Sequence, residues 1–285
     1  MLRSAALALA ILLAPALSCA QALDGALKRI KSTKTVSIAY RSDAAPFSFV
    51  DDSKQPTGFS IDLCRRVVAG VAQQIGVEGV QIKGVPVTTQ TRMEVVQKGQ
   101  ADMECLSTTV TLERSKHVNF SSYIFVDGTG VLVKVASAAR QLSDLGGKKI
   151  GVIPGTTNEK ALNEALKRMV INATVVPVQT RDEGLEKFEA GQIDAFVSDR
   201  LLLMALGSKA KDPKAITMLG DELSFEPYAI VLPRGDDDFR LAVNAALAQV
   251  YRSGAISDIF GRWFGGLGKP GVMLQATYVF GAIPE

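Results

Sequence analysis

The chain has 285 residues, 47% of them hydrophobic, which is ordinary for a globular protein and enough for two lobes with separate cores. Its 32 basic and 29 acidic residues leave a net charge of +3, and no block of like charge interrupts the sequence. That balance excludes nucleic acid and a polybasic membrane patch as partners.

The first 22 residues have the form of a secretory signal peptide. Met1-Leu2-Arg3 supplies a positive charge, residues 5–17 are almost unbroken apolar side chains, and Ala20-Gln21-Ala22 is an A-x-A cleavage site. The apolar stretch is too short for a transmembrane span, and no later segment is long and apolar enough for one. Cys19 raises lipoprotein anchoring, but Ala16-Leu17-Ser18 fits a lipobox poorly, so cleavage after Ala22 and secretion is the expectation. Without Arg3 the remaining chain carries 31 basic and 29 acidic residues, or +2. Cys64 and Cys105 remain in it. An oxidising compartment permits a disulfide between them, and two buried free thiols fit the sequence equally.

Strand and helix signals then alternate. Residues 35–40 are a β-branched run, and 59–74 have helical periodicity with Ile61, Val67, Val68 and Val71 on one side. A strand at 80–87, a short helix at 92–98 stopped by Gly99, and a strand at 101–106 complete a βαβαβ unit. The pattern restarts after 142–146 with a strand at 149–153, then Gly155-Thr156-Thr157 and a helix at 158–168. Thr156-x-x-Glu159 has the spacing of a capping box. A strand at 174–178, a helix at 181–190 ended by Gly191, and a strand at 193–198 leading to Asp199 close the second unit. Extended runs at 128–135 and 228–233 connect the two units, and helices at 237–252 and 256–264 follow. The fold class expected is α/β, with two lobes, a first lobe of 23–130 plus 231–285 and a second of 131–230. Two extended crossings make a hinge, and a ligand cleft between the lobes follows. The tail, 268–285, has weak patterning and no assigned role.

The chemistry concentrates in 103–114, MECLSTTVTLER. An apolar strand runs into three hydroxyls, Ser107, Thr108 and Thr109, with Arg114 beyond. Hydroxyls and backbone N–H groups at a strand end, beside a planar guanidinium, make a seat for a carboxylate, although the same residues would also serve as a plain polar turn. A second signal is an internal echo. Gln90-Thr91-Arg92 leads through a helix to Gly99-Gln100-Ala101-Asp102, and Gln179-Thr180-Arg181 leads through a helix to Gly191-Gln192-Ile193-Asp194. Each unit thus places an arginine at a helix start, where a cation opposes the helix dipole, so a role other than helix stability is expected.

These residues carry a resemblance. Arg41 with Ala45-Pro46-Phe47-Ser48-Phe49, Gly58-Phe59-Ser60-Ile61-Asp62, Thr88-Thr89-Gln90-Thr91-Arg92, Gly99-x-x-Asp102, Glu104-Cys105-Leu106-Ser107-Thr108-Thr109 with Glu113-Arg114, Phe120-Ser121, Gly155-Thr156-Thr157, and Gly191-x-x-Asp194-Ala195-Phe196 with Asp199 together resemble the periplasmic amino-acid-binding proteins of ABC importers, solute-binding protein family 3. Within that family the likeness is greatest to the glutamate/aspartate-binding proteins, and it covers nearly all of the chain after the leader. The resemblance implies a type II periplasmic-binding-protein fold, a monomer without cofactor, capture of glutamate or aspartate by hinge closure, and delivery to a membrane ABC permease. It also implies roles. Arg114 would pair with the α-carboxylate, helped by Ser107, Thr108, Thr109, Thr156 and Thr157. Asp199 would take the α-ammonium, and Arg41, Thr89 and Arg92 would hold the side-chain carboxylate. Arg181 stands where the family pattern leads one to expect histidine, and with Arg41 and Arg92 it would make a strongly cationic pocket floor favouring a side-chain carboxylate over glutamine. Another amino acid or a different dianion remains an alternative ligand.

Periplasmic enzymes such as cyclohexadienyl dehydratases resemble the same fold, so a dehydratase is the alternative function. Against it, the one histidine, His117, lies in a polar stretch and is expected to be exposed. The sequence holds no metal-spaced cluster, no G-x-S-x-G and no P-loop. Glu104 and Glu226 could lie near the cleft as general acids, but structural or hinge hydrogen bonding is the more ordinary role. A receptor sensor domain is disfavoured because the chain ends at Glu285 with no membrane span.

Overall fold

The computed structural model describes residues 23–284. The expected leader, with Cys19, lies outside the described residues. In chain order the elements are α1 (Gly25–Thr33), β1 (Thr35–Tyr40), β2 (Asp43–Ala44), β3 (Ser48–Val50), β4 (Pro56–Thr57), α2 (Phe59–Gln74), β5 (Gln81–Pro86), α3 (Arg92–Gln97), β6 (Met103–Glu104), α4 (Leu112–Ser115) and β7 (Asn119–Lys134). There follow β8 (Lys149–Val152), α5 (Thr157–Arg168), β9 (Thr174–Pro177), α6 (Arg181–Glu189), β10 (Ala195–Asp199), α7 (Arg200–Gly207), β11 (Ile216–Met218), β12 (Phe225–Leu232), α8 (Asp237–Arg252), α9 (Ala255–Phe264) and α10 (Val272–Gly281).

Nine strands form one continuous sheet in the order β5-β1-β6-β12-β7-β10-β8-β9, with β11 also on β7. The small strands β2, β3 and β4 form a separate sheet. The β7 strand belongs to both lobes. Its first half pairs antiparallel with β12, Asn119 opposite Leu232 through Gly128 opposite Phe225. Its second half pairs antiparallel with β10, Thr129 opposite Asp199 through Val133 opposite Ala195. On either side the pairings become parallel, β1 with β5 and β6 in the first lobe and β8 with β9 and β10 in the second. Two lobes are therefore joined by two extended strands.

Each lobe closes its own core. In α2 the buried residues Ser60, Leu63, Cys64, Val67, Val68 and Val71 recur at three- and four-residue spacing. That stripe faces α8 and the first-lobe sheet, in a core that holds Phe47, Phe59, Phe125, Tyr228 and Phe264. Phe47 stands edge-on to Phe59, Phe125 and Tyr228, with ring centroids 6.0, 4.9 and 5.3 Å away, an arrangement that aromatic quadrupoles favour. Gly58, the N-cap of α2, has φ of +126°, and a Cβ there would lie 2.3 Å from the Phe47 carbonyl oxygen. Only glycine fits that turn. In the second lobe the two sheet faces bury separate clusters, one around Ile150, Leu162 and Val197, the other around Phe188, Phe196 and Leu203.

The structure departs from the sequence reading in several places. The first crossing strand begins at Asn119 rather than near 128. The Asp127 carboxylate accepts the Gly128 and Leu201 N–H groups and holds this segment within the strand. The strand expected at 101–106 shortens to β6, because residues 107–110 leave β1 and pair with β12. Helix α7 follows β10 with no intervening residue, so no breaker marks its start. The unassigned tail contains α10, which has no charged residue and buries only Leu274 and Gly281. Its apolar side chains run all round the helix, Val272 and Phe280 being 85% and 82% exposed, so no amphipathic period marks it. Cys64 and Cys105, whose pairing the sequence leaves open, are joined in a disulfide between α2 and the segment after β6.

Candidate functional site

The ends of the first-lobe strands point one set of residues at the cleft. Arg41 follows β1 directly. It donates through Nε and Nη2 to the two oxygens of Asp43, each at 2.6 Å, and through Nη1 to the Thr89 hydroxyl. Arg92 is the first residue of α3, as the echo predicts, and is buried. Its Nη1 donates to Thr108 Oγ1 at 2.7 Å, and Thr108 donates to Glu104 Oε1 at 2.6 Å. Arg92 Nε lies 3.8 Å from Glu104 Oε1, inside ion-pair range but outside hydrogen-bond range. Ser107 is buried in the same segment. Arg114, half-buried in α4, donates from Nη1 to the Thr109 carbonyl at 2.7 Å.

The second lobe answers with two helix starts. Thr156 caps α5 by accepting from the Glu159 N–H at 3.1 Å. The reciprocal arm of the expected capping box reaches one residue further back, to the Gly155 N–H at 2.8 Å. The Thr156 hydroxyl also donates to the Ile153 carbonyl, so it is committed to the cap. Thr157 is free of that duty and donates to Glu226 Oε2 at 2.7 Å. Thr180 caps α6 in the same way, which places Arg181 as its first residue, again as the echo predicts. Arg181 Nη2 lies 3.7 Å from Asp199 Oδ2, and Nε donates to Ser198 Oγ at 3.4 Å. Asp199 sits at the N-cap of α7 but makes no cap hydrogen bond. Its carboxylate turns instead to the cleft, accepting from Asn158 Nδ2 at 3.1 Å.

The hinge strands supply the third component. Glu226 on β12 is 1% exposed. Its Oε2 accepts the Thr109 and Thr157 hydroxyls, one from each lobe, and its Oε1 accepts from Thr129 and Ser224. Thr109 and Thr157 also touch each other at 3.4 Å across the cleft. A second contact across the cleft is the Arg181 N–H to Asp43 Oδ2, 3.4 Å. The structure is therefore a closed arrangement of the lobes.

Electrostatics shape this centre. Four arginines, Arg41, Arg92, Arg114 and Arg181, face four carboxylates, Asp43, Glu104, Asp199 and Glu226. Burial, then the neighbouring Arg181 charge, lowers Arg41 to about 10; burial, partly offset by Glu104, lowers Arg92 to about 10. Both remain cations at neutral pH. Burial raises Glu104 and Asp199, with Arg92 and Arg181 respectively opposing it. The expected cationic floor is thus largely countered by resident carboxylates. Three buried atoms stay without a hydrogen-bond partner there: Arg92 Nε, Arg181 Nη1 and Glu104 Oε2. Buried polar atoms left unmet cost about 1–3 kcal/mol each, more when charged, so a polar partner at this centre is favoured.

The family profile of bacterial extracellular solute-binding proteins, family 3, matches residues 36–266. The chain belongs to that family. It is 36% identical over 266 residues, 92% of this chain and 87% of the relative, to the L-glutamate/L-aspartate-binding protein of Pseudomonas aeruginosa. It is 32% identical over 259 residues, 91% of this chain and 86% of the relative, to the glutamate/aspartate import solute-binding protein of Escherichia coli (strain K12). Among solved structures it is similar to an ancestral amino-acid-binding protein described as a precursor of cyclohexadienyl dehydratase, with a TM-score of 0.73 and 29% identity over 84% of this chain and 100% of that one.

In this family-3 protein Arg41, Thr89, Thr109, Arg114, Thr157, Arg181 and Asp199 are joined, through Asp43, Asn158, Thr129 and Glu226, in one hydrogen-bonded and ion-paired network, and Arg92 and Thr108 form a separate cluster with Glu104. Thr108 serves it as a support, clamped between Arg92 and Glu104. Asp43, Thr129, Asn158, Ser198 and Ser224 were not singled out from the sequence. Asn158 follows Thr157 directly, and Asp43 lies two residues after Arg41 in extended chain, so those two had a local signal. Thr129 and Ser224 had none, because their role depends on strand pairing. His117 is exposed, and no cluster of three or more metal-ligating side chains occurs among the described residues.

Asp127 beneath the hinge makes stability depend on pH. Burial first, then the Asp199 charge, pushes its carboxyl up to about 7, despite hydrogen bonds from the Gly128 and Leu201 N–H groups and the Tyr228 hydroxyl. In the unfolded chain the same carboxyl ionises near pH 4. Between about pH 4 and 7 the unfolded state therefore releases a proton that the folded state keeps. Asp127 costs stability progressively through that window and no further above it. Asp127→Asn cannot ionise, so its stability relative to wild type should rise from pH 4 to 7 and level off above. Chemical denaturation at pH 4–8 measures the difference. A constant offset between the two proteins would refute the raised value.

Proposed function

We propose that this solute-binding protein captures glutamate or aspartate between its lobes by hinge closure and delivers it to a membrane ABC permease. The observation that carries the reading is the pair of unmet buried donors, Arg92 Nε and Arg181 Nη1, one from each lobe, within electrostatic reach of each other and of Asp199, with Arg114 beside Arg92. An amino acid zwitterion stripped of water needs a cation for its α-carboxylate, an anion for its α-ammonium and several hydrogen bonds. Arg114, with Ser107, Thr109 and Thr157, suits the first. The N-terminus of α5 adds its dipole and free N–H groups. Asp199 suits the ammonium. Arg92 and Arg181, whose donors stay open, suit a side-chain carboxylate. The names of the Pseudomonas aeruginosa and Escherichia coli relatives point to the same ligand class.

Closure buries the ligand and joins the surfaces of both lobes, which lets a permease distinguish loaded from empty protein. The proposed lobes are 23–130 with 231–285 on one side and 131–230 on the other, with the strand from Phe225 packed against the first lobe. The protein works in the periplasm, as a monomer and without a cofactor. Calorimetric titration after unfolding and refolding to strip carried-over ligand tests the reading. Glutamate or aspartate should bind at least about tenfold more tightly than glutamine, a difference of about 1.4 kcal/mol. Equal binding of glutamine would remove the side-chain reading, and binding of prephenate alone would point to a dehydratase.

A further inference from the structure

We infer that Asp43 withdraws Arg41 from the ligand, so that the side-chain carboxylate is read by Arg92 and Arg181, one arginine from each lobe. This rests on the acidic-ligand reading and changes the role that family resemblance gives Arg41. The three floor arginines differ sharply in how far their donors are engaged. Arg41 has its Nε and Nη2 on Asp43, both at 2.6 Å, and its Nη1 on Thr89. That is the bidentate geometry an arginine would offer a ligand carboxylate, already occupied by a carboxylate of the protein. Arg92 and Arg181 have looser partners. Their carboxylate neighbours stand 3.8 and 3.7 Å away, and each keeps a buried N–H without a partner.

Asp43 is also held in place from the second lobe. Its Oδ2 accepts the Arg181 N–H, at the first residue of α6, where the helix dipole favours an anion. Burial pushes the Asp43 carboxyl up, but the Arg181 and Arg41 charges outweigh it and leave it below the ordinary value. Asp43 therefore stays ionised at neutral pH and keeps its grip on Arg41. Asp43 is a positioning residue that sets which arginines meet the ligand, and its charge opposes a second carboxylate in the same floor.

The test is the ratio of glutamate to glutamine affinity in two variants. Asp43→Asn keeps an acceptor oxygen but removes the charge and releases the Arg41 fork. Glutamate should tighten about tenfold, with glutamine changed by less than about twofold. The double variant Arg41→Gln with Asp43→Asn removes the pair together and leaves no uncompensated charge. It should keep the wild-type ratio. Equal shifts of both ligands in Asp43→Asn would mean a merely structural role and overturn the inference. Collapse of the ratio in the double variant would show that Arg41 reads the ligand, with the same result. If the wild type itself does not prefer glutamate, the acidic-ligand reading fails, visibly before any variant is compared, and this inference falls with it.

Discussion

Replacing Arg114 by methionine should abolish amino-acid binding, by at least about a hundredfold and equally for glutamate, aspartate and glutamine. Arg114 is fixed by its hydrogen bond to the Thr109 carbonyl and attracted by Glu104, Glu226 and Asp199. Methionine fills much of the same volume but offers neither charge nor donors. Removing one partner of a buried charge pair costs about 3–5 kcal/mol, because the other charge stays buried and unpaired. All three ligands share the α-carboxylate, so the loss should not discriminate among them. Calorimetry on variant and wild type measures it, with circular dichroism to confirm the fold. A loss confined to glutamate and aspartate would place Arg114 at the side chain and require a different α-carboxylate seat.

The disulfide carries the largest expected effect on stability. Cys64 and Cys105 are both fully buried, with Cα atoms 6.3 Å apart across a sequence separation of 41. Closing a loop of that length removes chain entropy from the unfolded state worth about 4 kcal/mol at room temperature. Cys64→Ala with Cys105→Ala should lower the melting temperature by about 10 °C. The bond also ties Cys105, two residues before Ser107, to the core of α2, so the double variant should bind amino acids more weakly as its carboxylate seat loosens. Thermal unfolding and calorimetry check the two effects. An unchanged melting temperature, with two thiols labelled in the denatured, unreduced wild-type protein, would mean that the bond does not form.

Much of the fold was legible because the sequence signals were local. The strand at 35–40 and the helices at 59–74 and 237–252 fall on β1, α2 and α8 with the same bounds. Their periodicity, caps and breakers lie within the segment itself. Helix α7 was not legible, because Asp199 turns its carboxylate into the site rather than capping the helix. Helix α10 was hidden by being apolar all round. In the site, Arg92 and Arg181 could be found because a repeated helix start leaves a repeated motif. Glu226 could be noted, but not that its four hydroxyl donors come from residues 109, 129, 157 and 224. Those positions meet only when β7 and β12 pair and the lobes close. The neutralisation of Arg41 was missed for a related reason. A carboxylate two residues away becomes a bidentate partner only once the chain enters β2 and α6 of the other lobe covers it.

Small-angle X-ray scattering of the stripped protein, alone and titrated with glutamate, aspartate or glutamine over the same concentrations, tests the central claim most directly. Without ligand, the buried charges of the two lobes should hold them apart. Glutamate or aspartate should shrink the radius of gyration toward that of the closed structure, about 18 Å for a compact chain of this size. Glutamine should need at least about ten times the concentration to give the same contraction. No contraction with either acidic amino acid, or equal contraction with glutamine, would contradict capture of an acidic amino acid by hinge closure.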